Sequence, residues 1–357
     1  MEIFWAVIVV AMLTIFVILD GFDFGAGIIN LLFSESEEER AKITQAIGPY
    51  WDGNEVWLLA GGGVLFFAFP TLYATAFSGF YLPLIMVLWL LIFRGIGLEL
   101  RNLVDNEMWR AIWDKAFGIA SLLLAVFFGA ALGNVVRGVN LGGVVDGVSK
   151  YEPHNFFVPL WNHNFSPLEQ EVGVLDWFTI LLGLVAAVTL TIHGAAWIRY
   201  KLSGDVNSKM KKIIPIALGV QIILIIVSVA AISTIKPATF KNFMESPVLF
   251  IFPVLAIIGL IGIFVMNKMD KEGATFLSSA LFIFGAFLTT IMGMFPVLLP
   301  STNSVNPSLT ISSMKAADYG LEVGLYWWVI GIVLTVSYFV IVHRLFRGKL
   351  DDNTYGH

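Results

Sequence analysis

Residues 3–19 read IFWAVIVVAMLTIFVIL, and no charged side chain interrupts them. The stretch continues as DGFDFGAGIINLLF, so the apolar character reaches Phe33 with only Asp20 and Asp23 inside it. A hydrocarbon core of about 30 Å is crossed by about 20 apolar residues in a helix. The segment 3–33 therefore reads as a membrane-spanning helix with two aspartates embedded in it. A secretory leader is not expected, because Met1-Glu2 gives no basic start and the apolar run continues too far.

Working outward, the same signature recurs along the chain. The spans read as roughly 3–33, 53–74, 78–101, 114–135, 173–199, 213–235, 247–267, 274–299 and 322–346. Of the 357 residues, 58% are hydrophobic and 13% charged. Soluble domains average about 45–50% and about 25%, so a soluble fold is excluded. Lipid offers no partner to an unpaired backbone group, which leaves helices or a closed barrel. A barrel would alternate polar and apolar residues in short strands, and that alternation is missing. The expectation is an all-α polytopic membrane protein of about nine transmembrane helices, one integral membrane domain over 1–357, packed as two bundles.

An odd number of spans puts the termini on opposite sides. Fifteen Lys and Arg residues then fall on the side of the C-terminus, from Arg40 and Lys42 through Lys209, Lys211 and Lys212 to Lys349. Five fall on the other side: Arg137, Lys150, Lys236, Lys241 and Lys315. Basic loops stay in the cytoplasm, so the N-terminus is expected outside and the C-terminus inside. The longest connection, about 136–172, reads as an ordered external loop or cap. Residues 300–321 form a second external loop, and 34–47, with its four glutamates, reads as a solvated cytoplasmic turn. The net charge of -5 gives no reason to expect a nucleic-acid partner. The absence of cysteine rules out disulfides, Cys-ligated zinc and iron–sulfur clusters in the chain.

Ionisable residues at membrane depth are costly, which makes them informative. Asp20 and Asp23 are three apart and share a helix face, and Asp52 and Glu55 repeat the spacing where the second span begins. Arg94, Glu99 and Arg101 sit toward the cytoplasmic end of the third span, and Asp114 with Lys115 opens the fourth. All lie in the cytoplasmic half of consecutive helices, which usually pack together. Two readings stay open: a route for protons or cations entering from the cytoplasm, or ion pairs that hold helices in register. Carboxyls in excess of their cationic partners lean toward the route. An ion-coupled secondary transporter is the alternative function, although its usual repeat and broken midplane helices are not evident.

The other candidate residues read more plainly. Gly21, Gly25 and Gly27, and then Gly61, Gly62 and Gly63, are small residues that let helices approach closely. The tryptophans Trp5, Trp51, Trp109, Trp113, Trp177, Trp327 and Trp328 fall near span ends, where an aromatic belt belongs. Of five histidines, His154 and His163 are in the outer loop, and His343 and His357 are near the C-terminus. Only His193 lies well inside a span, where an interhelical hydrogen bond is its ordinary use. That is a poor inventory for ligating several haems, and it offers no metal cluster.

The same residues carry a family likeness. Leu19-Asp20-Gly21-Phe22-Asp23-Phe24-Gly25-Ala26-Gly27 closes the first span, and Gly48-Pro49-Tyr50-Trp51-Asp52-Gly53-Asn54-Glu55-Val56-Trp57-Leu58 opens the second. Phe93-Arg94-Gly95 with Glu99 and Arg101 ends the third, followed later by Gly133-Asn134, His193-Gly194-Ala195 and Met294-Phe295-Pro296. Together they resemble subunit II of cytochrome bd-type quinol oxidase, over the chain from its first span to its last. The resemblance implies two four-helix bundles plus one peripheral helix, paired with a pseudo-symmetric oxidase subunit I in a bacterial cytoplasmic membrane. It implies a complex that oxidises quinol on the outer side and reduces dioxygen to water with cytoplasmic protons, electrogenic without pumping. Haems b558, b595 and d are then expected on subunit I, and this chain alone is not expected to be catalytic. A small single-span accessory subunit is often present in the family, and some members carry a structural quinone or lipid in this subunit. Asp52 and Glu99 match positions placed on the proton-uptake path, Glu99 where relatives often have Asp. Asp23, Trp51 and Arg94 match positions near the subunit interface that support the haem region, and Asp20 is the next candidate on the same face.

Overall fold

The computed structural model describes residues 1–350, so His357 lies outside the described residues. The opening apolar run forms α1 (Glu2–Phe33), which carries Asp20 and Asp23 on one continuous helix. Residues 34–47, expected as a solvated turn, instead hold α2 (Glu37–Ile47). Ser36 caps it by accepting from the Glu39 backbone N–H at 3.1 Å, three glutamates fill its first turn, and Ile43, Thr44, Ala46 and Ile47 are buried. Acidic residues at the N-terminal turn and a capping serine favour a helix that the high charge of the segment conceals.

The second span departs from a straight helix. α3 (Trp51–Ala68) stops, and α4 (Pro70–Gly79) starts on a path bent by 119°. Proline lacks the N–H that would continue the ladder and its ring crowds the preceding turn, so Pro70 begins a new helix. The single helix expected over 53–74 is thus a broken pair. The chain returns through α5 (Tyr81–Leu100) and α6 (Glu107–Arg137). The second half runs α7 (Trp177–Lys201), α8 (Gly204–Ile235), the short α9 (Lys241–Glu245), α10 (Ile251–Lys268) and α11 (Glu272–Met294). It ends with the single turn α12 (Ile311–Met314) and then α13 (Asp318–Leu345). Among the described residues eight helices are long and apolar enough to cross a membrane, or nine with the bent pair taken as one span.

The helices pack as α1, α3, α5 and α6 in one bundle and α7, α8, α10 and α11 in another. The bundles meet where α1 and α6 lie on α7. A Cβ on Gly25 would fall 1.9 Å from the Leu190 carbonyl, and one on Gly194 2.4 Å from the Gly25 backbone. Helix α13 is peripheral and leans on α1 and α3. The Trp5 indole donates to the Leu321 carbonyl at 3.1 Å, and Trp57 packs on Phe339 with ring centres 5.6 Å apart.

One end of the molecule is closed by the long connections. The hairpin β1 (Val144–Val145) with β2 (Val148–Ser149) and the pair β3 (Val297–Leu299) with β4 (Leu309–Thr310) lie there. Asn303 donates to Asn140 at 2.7 Å and Thr302 to the Gln170 carbonyl at 2.8 Å, which ties the two loops into a cap. The opposite end carries α2 and the lysine- and arginine-rich turns, and is called the basic end below. There the chain after α13 folds back: Lys201 donates to the Phe346 and Gly348 carbonyls at 2.6 and 3.1 Å, and Tyr50 to Phe346 at 2.9 Å.

Candidate functional site

Asp20 and Asp23 are fully buried on the face of α1 that meets α3 and α5. A helix advances 100° per residue, so a spacing of three keeps both carboxyls over the same groove. Across it α3 supplies Asn54 and Glu55, and α5 supplies Arg94. Arg94 is buried and donates to Asp20 Oδ1 at 2.5 Å and to Glu55 Oε2 at 2.8 Å. Its guanidinium carbon lies 4.5 Å from the centre of the Phe24 ring, whose π face favours a cation. Asn54 donates to Asp23 Oδ2 at 2.8 Å and to the Leu19 carbonyl at 3.2 Å.

The cluster is not closed. Asp20 and Asp23 face each other as a carboxyl pair, and Asn54 Oδ1 and the Arg94 Nε–H are buried without a partner within the chain. Buried polar atoms normally find one, so these two leave the network unfinished. Three carboxyls share one guanidinium, which gives the cluster acidic groups beyond its fixed cation and room for exchangeable protons.

The other sequence candidates fall elsewhere. Asp52 and Glu99 are exposed, on α3 and α5 toward the basic end and outside the buried cluster. Trp51 is half-buried and lies against Gly95, where an added Cβ would meet the indole at 3.3 Å. Arg101 pairs with Asp114 at 2.7 Å, both buried, and fastens the end of α5 to α6. Two contributors carried a weaker sequence signal. Glu55 was visible as the partner of Asp52 in spacing, and it is Glu55 that reaches Arg94. Asn54 had only its polarity at a span start. Arg137, counted from sequence as an external-loop charge, is buried with Asp176 at the capped end. There it ion-pairs with Asp176 and donates to Asn134 at 2.5 Å and to the Gly173 carbonyl at 3.0 Å.

His193 does not fit an axial haem ligand. Its Nε2 donates to the Ile18 carbonyl at 2.8 Å, Nδ1 lies 2.7 Å from the Ser279 hydroxyl, and the ring stacks on Phe276 at 4.8 Å. A ligating imidazole needs a nitrogen free toward the metal. Among the described residues no group of three His, Asp or Glu side chains is placed to hold a metal ion. At the basic end Asp270 turns the chain between α10 and α11 with φ at 57° and is 2.5 Å from Lys211 and 3.0 Å from Arg199. The Lys211 ammonium, hydrogen-bonded to it, and then Arg199 hold the Asp270 carboxyl below the usual carboxylate range.

These features define an integral, multi-pass helical membrane protein with a buried acidic cluster around one arginine between its first three spans. The family model described as cytochrome bd terminal oxidase subunit II matches residues 1–346, and the chain belongs to that family. It is 28% identical to cytochrome bd-I ubiquinol oxidase subunit 2 of Escherichia coli, over 98% of this chain and 97% of that one. It is 29% identical to cytochrome bd ubiquinol oxidase subunit 2 of Bacillus subtilis, over 89% and 88% of the two chains. The bd oxidase structure from Geobacillus thermodenitrificans contains a chain of the same fold, with a TM-score of 0.63 at 11% identity over 97% of this chain and 98% of that one. The chain is therefore a subunit of a haem-containing respiratory oxidase of the bacterial cytoplasmic membrane and works with a partner oxidase subunit. Nothing in these similarities supports an ion-coupled secondary transporter.

Proposed function

We propose that this chain delivers protons from the cytoplasm to the site where its partner subunit reduces dioxygen. The observation that carries the reading is the set of three carboxyls, Asp20 and Asp23 buried side by side and Glu55 half-buried, around a single Arg94. The basic end faces the cytoplasm, as its lysines and arginines favour. Asp52, one turn before Glu55, and Glu99, five residues beyond Arg94, collect protons at that end. Glu55, Asp20 and Asp23 then hold them at depth, around the fixed charge of Arg94. Arg94 has a second duty here, since its two ion pairs fasten α5 to α1 and α3.

The remaining assignments follow the family. Quinol is the electron donor, and haems b558, b595 and d sit on subunit I, which fits the fully engaged His193. Trp51, and from inside the chain Arg94, support the haem region at the face toward that subunit. A small single-span accessory subunit and a structural quinone complete the proposed inventory. The test uses the assembled complex. Asp23→Asn, and separately the double variant Asp52→Asn with Glu99→Gln, are expected to slow oxygen reduction and proton uptake together at unchanged haem content. Normal turnover in both, fully assembled, would remove the proton-path reading and leave a structural subunit.

A further inference from the structure

One buried polar side chain has no part in the cluster just described. Asn30 on α1 is 1% exposed, and both its Oδ1 and Nδ2 lack a partner within the chain. It is seven residues beyond Asp23, which is almost two full helical turns, so it falls on nearly the same face. At 1.5 Å per residue it sits about 10 Å from Asp23 toward the basic end and about 5 Å from the end of α1. An amide buried without partners is costly in a bilayer interior unless something small and polar satisfies it.

The interval between Asn30 and Asp23 also has a polar mark. Gly27 lies between them on that face, and a Cβ there would meet the Ser121 hydroxyl of α6 at 2.1 Å. Ser121 is fully buried and donates to the Phe117 carbonyl at 2.7 Å, which leaves its oxygen free to accept. A Cβ at position 27 would overlap this hydroxyl, so glycine is what lets Ser121 approach the α1 backbone. Asn30, Ser121 and Asp23 with Asn54 thus form a sequence of polar atoms along one edge of α1. The Asp23–Asp20 carboxyl pair and the unpartnered Asn54 Oδ1 continue it inward.

We propose that Asn30 is a positioning residue that holds water at the inner mouth of a hydrogen-bonded file running past Ser121 to Asp23. The proposal rests on the proton-delivery reading above and adds an entry separate from Asp52 and Glu99. The amide offers a donor and an acceptor, so it orients a water from both sides. About 10 Å is bridged by two or three waters and the serine hydroxyl at ordinary hydrogen-bond spacing. A proton then moves by exchange along the waters: each takes one proton from the cytoplasmic side and releases another toward Asp23, while the Ser121 oxygen, its own proton held by the Phe117 carbonyl, accepts from the file.

The test is hydrogen–deuterium exchange of the buried carboxyl C=O stretch in the intact oxidase complex, with proton uptake followed in the same samples. Asn30→Leu matches the side chain in size but cannot bind water, and about a tenfold slowing of both is expected at unchanged haem content and melting temperature. Asn30→Ser is smaller and polar and is expected to exchange at close to the wild-type rate. A packing role gives a different order, with the serine variant less stable and the leucine variant normal in rate, and that order would overturn the proposal. Should Asn30→Leu fail to assemble, Ser121→Ala carries the test, and an unchanged exchange rate there is equally contrary. Asp23→Asn is run in parallel. If it is slow while Asn30→Leu is normal, only the Asn30 file falls; if it too turns over normally, and so does Asp52→Asn with Glu99→Gln, the proton-delivery reading itself has failed.

Discussion

The contact between the two bundles can be tested with a single methyl group. An ideal Cβ on Gly25 falls 1.9 Å from the Leu190 carbonyl oxygen and 2.8 Å from both N and Cα of Gly194. Ordinary contact begins near 3.4 Å, so α1 and α7 would have to part by roughly 1.5 Å, and every obstacle is backbone that no rotamer change can move. Overpacking of this kind costs about 1–3 kcal/mol, and a backbone obstacle puts Gly25→Ala at the upper end. Parting α1 from α7 also disturbs the 2.8 Å bond from His193 to Ile18, two residues before Asp20. The assay is thermal unfolding of the purified complex together with haem yield. The internal control is Gly219→Ala on α8, where a Cβ meets nothing within 4 Å and alanine is the better helix former by about 1 kcal/mol. Gly25→Ala is expected to melt several degrees lower or fail to assemble, and Gly219→Ala to match or exceed the wild type. A Gly25→Ala complex as stable as the control would refute the close approach of the bundles.

Two further outcomes follow from the ion pairs. Arg94→Leu leaves the buried Asp20 without its guanidinium and is expected to lower stability by about 3–5 kcal/mol, read as lost assembly or a lower melting temperature. Arg94→Lys is expected to fall between leucine and wild type, because its ammonium is a single point on a shorter stem and does not span Asp20 and Glu55 as the two guanidinium nitrogens do. Asp270→Asn keeps a residue that tolerates φ near 57° and removes only the charge beside Lys211 and Arg199. Because the folded Asp270 carboxyl is held low, its stabilisation is present above the unfolded value, about 3.9, and is lost as pH falls through the lower folded one. The thermal deficit of Asp270→Asn is therefore expected at neutral pH and should shrink only in strong acid.

Spans were legible in the sequence because lipid leaves the backbone no alternative to helix, so long apolar runs translate directly into α1, α6, α7 and α10. Pro70 was equally visible, yet the apolar run continues unbroken across it, and hydropathy alone does not register a missing N–H. Helix α2 was hidden by the charge that caps it. At the site, Asp20 and Asp23 were legible because their spacing fixes a common face within one helix. The choice between Asp52 and Glu55 was not, since it depends on how α3 is rotated against α5. That rotation is set by tertiary contacts such as Asn54 on Asp23 and Trp57 on Phe339, which spacing within α3 does not encode. Arg137 with Asp176 shows the same limit at the capped end, where two loop-edge charges become a buried pair only once α6 and α7 are side by side.

The most direct measurement is infrared difference spectroscopy of the oxidised and reduced complex, reading the carboxyl C=O region in water and deuterium oxide. If the buried acids of this chain exchange protons during turnover, a deuterium-sensitive carboxyl band appears in the wild type. That band is expected to be lost in Asp23→Asn and kept in Gly219→Ala. A difference spectrum that is the same in the wild type, Asp20→Asn and Asp23→Asn would mean that these carboxyls keep one charge state throughout. The cluster would then be a fastening of three helices and nothing more.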